Sequence, residues 1–217
     1  MKILLIAGHG QGDPGAVANG YNEADLTREV VKLLKPQLDN YADVTIADTS
    51  KNWFKNSMNF KPYNYVLEIH FNAGVNDSKG NNGTTGTEIY ITTSEKSHGV
   101  ETNIVNSISN IGFKNRGVKR KNWKVISNAK AQGVSSALLE VCFIDDADDM
   151  WLYQKKKAEL IKAIANGIIT GFGLKATEAD DITIIKNKIG LADETIKYLQ
   201  NYKFGTELIR KIADAVK

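Results

Sequence analysis

Four side chains in this sequence have chemistry at odds with their surroundings: His9, Glu23, His70 and Glu140. His9 follows the apolar run Ile3–Ala7, and His70 ends the run that starts at Tyr65. Both runs read as strands. In an open α/β sheet, sites lie at the carboxyl ends of the strands, so both imidazoles can reach that edge. Glu23 opens a helical pattern, preceding Leu26 by three residues and Val30 by seven. That spacing puts its carboxylate on the core-facing stripe. A charge on an inward face is costly unless it is paired or holds a metal. Two imidazoles and a carboxylate around an open position are what a catalytic zinc uses. Taken singly, each residue also has a structural reading. A histidine after a strand is commonly a satisfied core residue, and a glutamate in a first turn is favoured by the helix dipole.

Glu140 is the sharper anomaly. The run Ala137–Phe143 is otherwise apolar and reads as a buried central strand. A carboxylate there needs either an ion-pair partner or a role, and a cleft carboxylate of raised pKa suits general acid/base work. Glu68 lies two residues before His70 on the same strand face. It is placed either to orient a ligand histidine from behind or to meet a lysine. Cys142, two residues after Glu140, is expected on Glu140's face. A cysteine–histidine nucleophilic site is the alternative to a small buried core residue. His98 reads as a surface residue at the start of a helix. Gly10-Gln11-Gly12-Asp13-Pro14-Gly15 has the form of a dinucleotide-binding loop. However, the helix starts near Asn22, too far on for a phosphate to sit at its N-terminus, and Asp48 is too distant for the ribose.

The elements that must position these groups follow from periodicity. Asn22 caps a helix to about Asp39, with Pro36 expected to kink or restart it. Strands are expected at Val44–Ala47, Tyr65–His70, Glu88–Thr92, Trp123–Ser127 and Ala137–Phe143. Asp77–Thr85 is a polar, glycine-rich loop. Val100–Ile111 is an amphipathic helix, and Leu160–Ile169 marks another that ends near Gly171–Gly173. Alternating strands and helices imply an α/β domain over residues 1–174, with a mostly parallel twisted sheet covered by helices on both faces. Residues 175–180 read as a linker. Residues 181–217 read as a small helical module of three helices, near 181–189, 193–202 and 206–216, with Asp193 and Thr206 as caps.

Composition bounds the partners. The 217 residues are 42% hydrophobic and 24% charged, with a formal net charge of +3. That charge is too mild for a nucleic-acid stripe, though it suits work near an anionic polymer. The lone cysteine excludes an internal disulfide. No apolar run is long enough for a membrane span, so no membrane insertion is expected. The opening apolar stretch is too short for a signal peptide, which places the protein in the host cytoplasm until release.

Six segments, in order, resemble the zinc-dependent N-acetylmuramoyl-L-alanine amidases. They are Ala7-Gly8-His9-Gly10 with Asp13-Pro14-Gly15-Ala16; Asn22-Glu23; Glu68-Ile69-His70-Phe71-Asn72-Ala73; Gly86-Thr87-Glu88-Ile89-Tyr90; Asn115-Arg116-Gly117-Val118-Lys119; and Ala137 to Ile144. The resemblance covers residues 1 to about 173 and leaves out 176–217. One departure is that Asp13-Pro14 follows the Gly-His-Gly segment, whereas the family more often has Asp-Pro before it. The resemblance implies Zn2+ on His9, Glu23 and His70, with Glu140 as catalytic acid/base. It also implies substrate contacts at Asn72 and Arg116, and peptidoglycan as the partner. The bond cut joins the lactyl group of N-acetylmuramic acid to L-alanine of the stem peptide. Without a signal segment, a phage or prophage endolysin is the expected setting. A mother-cell or autolytic amidase is the near alternative, and a catalytically inactive wall-binding module the remote one. The C-terminal helices are expected to bind the cell wall, with self-association as the alternative.

Overall fold

Hydrophobic runs flanked by glycine and polar turns build one central sheet. The computed structural model describes residues 1–10, 12–176 and 178–216. Its strands and helices in chain order begin with β1 (Lys2–Ala7), the short pair β2 (Val17–Ala18) and β3 (Tyr21–Asn22), and α1 (Glu23–Leu38). Next come β4 (Asp43–Ile46), β5 (Tyr65–Asn72), β6 (Thr87–Ile91), α2 (Gly99–Ser109) and β7 (Asn115–Arg120). Helix α3 (Lys124–Ala131), β8 (Ser135–Phe143) and α4 (Ala147–Phe172) follow. The six-stranded sheet has the order β4-β1-β5-β8-β6-β7. All neighbours are parallel except β6 and β8, which pair antiparallel.

The central strands β1, β5 and β8 are buried on both faces, as continuous apolar runs require. On one face, Leu26, Val30, Leu34 and Leu38 of α1 pack with Ile104 of α2, Ile164 of α4 and Ile3, Leu5 and Leu67 of the sheet. On the other, Leu4, Ile6 and Val66 meet Val125 and Ala129 of α3 and Phe60 of the β4–β5 connection. The sheet is thus covered on both sides, and its carboxyl edge is left to the loops.

Several expectations are corrected. Trp123–Ser127 is not a strand: Trp123 is the N-cap of α3, and Val125, Ile126 and Ala129 bury one helical face. Pro36 does not break α1, which runs through to Leu38. Near the C-terminal end, the missing N–H costs the helix one bond. The last helix of the sheet domain starts at Ala147, because the Asp146 side chain accepts from the Asp148 and Asp149 N–H groups and so caps it. The edge strand β7 was not foreseen. The hairpin of β2 and β3 separates the glycine-rich loop from α1, so that loop does not deliver a ligand to a helix N-terminus.

Contacts within the chain divide it into Met1–Leu174 and Lys175–Lys217. The second unit holds α5 (Glu178–Ile189), α6 (Asp193–Asn201) and α7 (Gly205–Val216). Its own small core gathers around Ile185, Ile209 and Ala213. Helix α5 begins inside the stretch read as the linker 175–180, of which Thr177 lies outside the described residues. Asp193 is the first residue of α6 rather than its cap, and α7 starts one residue before Thr206. Among the described residues, no helix is long and apolar enough to cross a membrane.

Candidate metal and catalytic site

At the carboxyl edge of β1 and β5, the structure brings His9, Glu23 and His70 together. Each offers one ligand atom, and these atoms lie within 4.8 Å of one another. Glu23 stands between the two rings, with Oε2 2.9 Å from His9 Nε2 and Oε1 2.9 Å from His70 Nδ1. The Ala16 and Phe71 N–H groups each donate to it at 3.0 Å. Glu23 is buried. Burial alone would raise its pKa, but the hydrogen bonds from His70 and His9 hold it far below the usual carboxylate range.

Both rings are also held from behind. His9 Nδ1 lies 3.1 Å from Asp13 Oδ2, which also accepts from the Asn52 side chain at 2.9 Å. His70 Nε2 lies 3.2 Å from Glu68 Oε1. A carboxylate behind each imidazole fixes ring orientation and tautomer, leaving His9 Nε2 and His70 Nδ1 toward Glu23. Burial opposes charge on both rings. The Glu23 hydrogen bond outweighs it at His9, and Glu23 with Glu68 outweighs it at His70, so both pKa values are raised.

Local backbone serves this arrangement. His9 has a φ of 65°, a left-handed conformation that costs a non-glycine residue about 1–3 kcal/mol and is tolerated mainly at functional sites. A paired bridge between Gly10 and Asp13 closes the loop beneath it. Gly8 must be glycine, because a Cβ there would lie 2.4 Å from the His70 ring. The donor set therefore fits a zinc ion: two oriented imidazoles and a buried carboxylate converge on one point, in a cradle kept clear of side chains.

Glu140 is the register partner of His70 across β5 and β8. It is only 9% exposed, and among the described residues its Oε2 has no hydrogen-bond partner. Burial pushes its pKa up to about 7 against the pull of His70. The cleft above these groups has a volume of about 420 Å³, and Trp53, Phe54 and Trp123 form an aromatic wall. Cys142 does not share Glu140's side. The register runs His70↔Glu140 and then Asn72↔Phe143, so β8 carries one extra residue there. This bulge breaks the alternation, and Cys142 is fully buried within the core. Burial raises its thiol pKa well above the ordinary value, which disfavours the thiolate. His98 sits exposed at the N-cap of α2.

Asn72 lines the cleft, but its side chain donates to Glu88 Oε1 at 3.0 Å. Arg116 donates to Glu88 Oε2. Glu88 also receives the Tyr90 hydroxyl at 2.7 Å and the Lys119 ammonium. Glu88 and Asp13 are thus the site residues that sequence reasoning missed. A carboxylate between Thr87 and Ile89 in a strand, like Glu140 in β8, was the available signal for Glu88. Asp13 had none, since Asp-Pro-Gly reads as a turn.

Residues 3–170 match the family described as N-acetylmuramoyl-L-alanine amidase. The chain is 29% identical over 215 residues to a probable autolysin of Staphylococcus aureus, covering 86% of this chain and 42% of that protein. It is 28% identical over 181 residues to the endolysin of Bacillus phage SPP1, covering 78% of this chain and 64% of that one. It therefore spans less than two thirds of either relative's length. Among solved structures, an N-acetylmuramoyl-L-alanine amidase of Nostoc punctiforme superposes with a TM-score of 0.64 at 19% identity, covering 80% of this chain and 97% of that one, a likeness of fold. On the family match, which spans every strand of the sheet but for Lys2 and every residue of the candidate site, this chain belongs to the N-acetylmuramoyl-L-alanine amidase family.

Proposed function

We propose that this chain hydrolyses the amide bond between N-acetylmuramic acid and L-alanine in peptidoglycan, with zinc held by His9, Glu23 and His70. The observation that carries the reading is the buried, unpartnered Oε2 of Glu140 in register beside His70. A carboxylate kept in that state, with its pKa near neutrality, is suited to take and return a proton. A zinc ion in this cradle supplies Lewis acidity, lowering the pKa of water and polarising a carbonyl. Asp13 and Glu68 hold the two imidazoles in the orientation that presents His9 Nε2 and His70 Nδ1. Glu140 takes the proton of the attacking water and returns it to the L-alanine nitrogen as the carbonyl–nitrogen bond breaks.

We take an endolysin role as the setting, supported by the likeness to a phage endolysin, with an autolytic amidase as the alternative that the likeness to the Staphylococcus autolysin supports. In that role, residues 181–217 serve as a wall-binding module, with the exposed Tyr198, Tyr202 and Phe204 as contacts and self-association as the alternative. Glu140→Gln is the test of the chemistry. The variant keeps shape and should keep its zinc, while turnover of purified peptidoglycan drops by about 10²–10⁴. Turnover at the unmodified rate with zinc bound would overturn the assignment.

A further inference from the structure

Glu88 collects more positive charge than its burial requires. One cation suffices to neutralise a buried carboxylate, yet Glu88 meets both Arg116 and Lys119, besides the neutral Asn72 amide and Tyr90 hydroxyl. In a regular strand, residues three apart point to opposite faces. Here the β6–β7 register passes from Thr87↔Asn115 to Ile89↔Val118, so β7 holds an extra residue at Arg116–Gly117. Gly117, at a φ of 82°, provides the backbone for this bulge. The bulge brings Arg116 and Lys119 to the same carboxylate, which an edge strand needing only scattered surface charge does not require.

The two cations sit beside the cleft, outside its lining, and reach it through Glu88. Glu88 is the register partner of Glu140, and Asn72, which lines the cleft, is bonded to Glu88. The Arg116 guanidinium lies over the Phe143 ring at 4.8 Å, and the Lys119 ammonium lies 5.7 Å from the centre of the Tyr90 ring. Both side chains remain partly exposed, at 30% and 37%. Arg116 commits only Nε to Glu88, and Lys119 one N–H, so the pair keeps free donors and one unneutralised positive charge.

We propose that Arg116 and Lys119, positioned by Glu88 and the β7 bulge, recognise a free carboxylate of the stem peptide beside the scissile bond. This rests on the amidase reading above. Guanidinium and ammonium donors on one carboxylate make a charge-assisted site that a carboxamide does not satisfy.

The test compares two soluble muramoyl-peptides that differ only in the residue after L-alanine, which carries a free carboxylate in one and a carboxamide in the other. The full-length zinc-loaded enzyme should favour the carboxylate by about tenfold in kcat/KM, mostly through KM. Lys119→Gln and Arg116→Gln should each pull that ratio toward one, whereas Lys119→Arg should retain it. Lys119 is exposed enough that its substitution spares the fold even if Arg116→Gln does not. A purely structural role would lower turnover of both peptides alike and leave the ratio untouched. An enzyme indifferent to the two peptides, or a ratio unchanged in the glutamine variants, overturns the proposal. If neither peptide is cleaved, the amidase reading fails and this inference falls with it.

Discussion

Two side-chain clusters beside this sheet satisfy the same distance condition for a metal: His9 with Glu23 and His70, and Asp77 with Asp146 and Asp148. They differ in what occupies their oxygens. In the aspartate cluster, backbone N–H groups donate to Asp146 and Asp148, and the Asn81 side-chain amide donates to Asp77. Asp146 accepts from Thr85, Asp148 and Asp149, and Asp148 accepts from Asn81 and Gly83. Nearby, Asp145 accepts from Gly74 and Asn76, and Asp149 from Gly86 and Phe143. These carboxylates staple the 73–86 loop to the start of α4, which sets the entry to β6 and so the position of Glu88. In the histidine cluster, the partners are imidazoles whose nitrogens can serve a metal, and a carboxylate with an unpartnered oxygen stands beside them. Proximity of acidic groups is therefore a weak criterion. The competing donors decide whether a cluster binds an ion or ties a loop.

The largest effect expected from this contrast is on metal content. The purified chain should carry about one zinc, and His70→Ala should lose most of it, because structural and catalytic sites depend on their full ligand set. Asp148→Asn should retain it in full. Elemental analysis showing the reverse pattern would break the comparison.

A smaller effect, on pH, tests the staple beside the aspartate cluster. Burial pushes Asp149 from its ordinary 3.8 up to about 6, against the pull of the Phe143 and Gly86 N–H groups. Because the folded value is the higher one, the folded chain holds this proton through that window. The stabilisation is complete below 3.8 and is lost as the pH rises through about 6. The difference in unfolding free energy between the native chain and Asp149→Asn should fall by roughly 1–3 kcal/mol across the window. Denaturant titrations giving a flat difference would show that Asp149 is not a titrating staple.

What was legible in the sequence follows the same logic. Glu23 and Glu140 interrupt apolar patterns and His9 and His70 stand at the ends of apolar runs, so each stood out, and the structure brings them to one edge. Glu88 carried the same mark as Glu140, a carboxylate in an apolar strand, but its two cationic partners lie on β7, an edge strand whose Arg116-Gly117-Val118-Lys119-Arg120 has no apolar alternation. The bulge that turns Cys142 away from Glu140 left no mark either, since an extra residue in an apolar run looks like any other. Helix α3 was read as a strand because a five-residue window cannot separate the two periods, whereas Ala129, one turn on from Val125, marks the helical face. Asp146, which caps α4, was legible in principle as an acidic residue ahead of a helix.

The central claim is a bond. Mass spectrometry of purified peptidoglycan digested by the zinc-loaded chain tests it most directly. The expected products are glycan strands with free muramic lactyl carboxylates and stem peptides that begin with a free L-alanine amine. Cleavage between stem-peptide residues or within the glycan, with the muramoyl–alanine amide intact, would contradict the account.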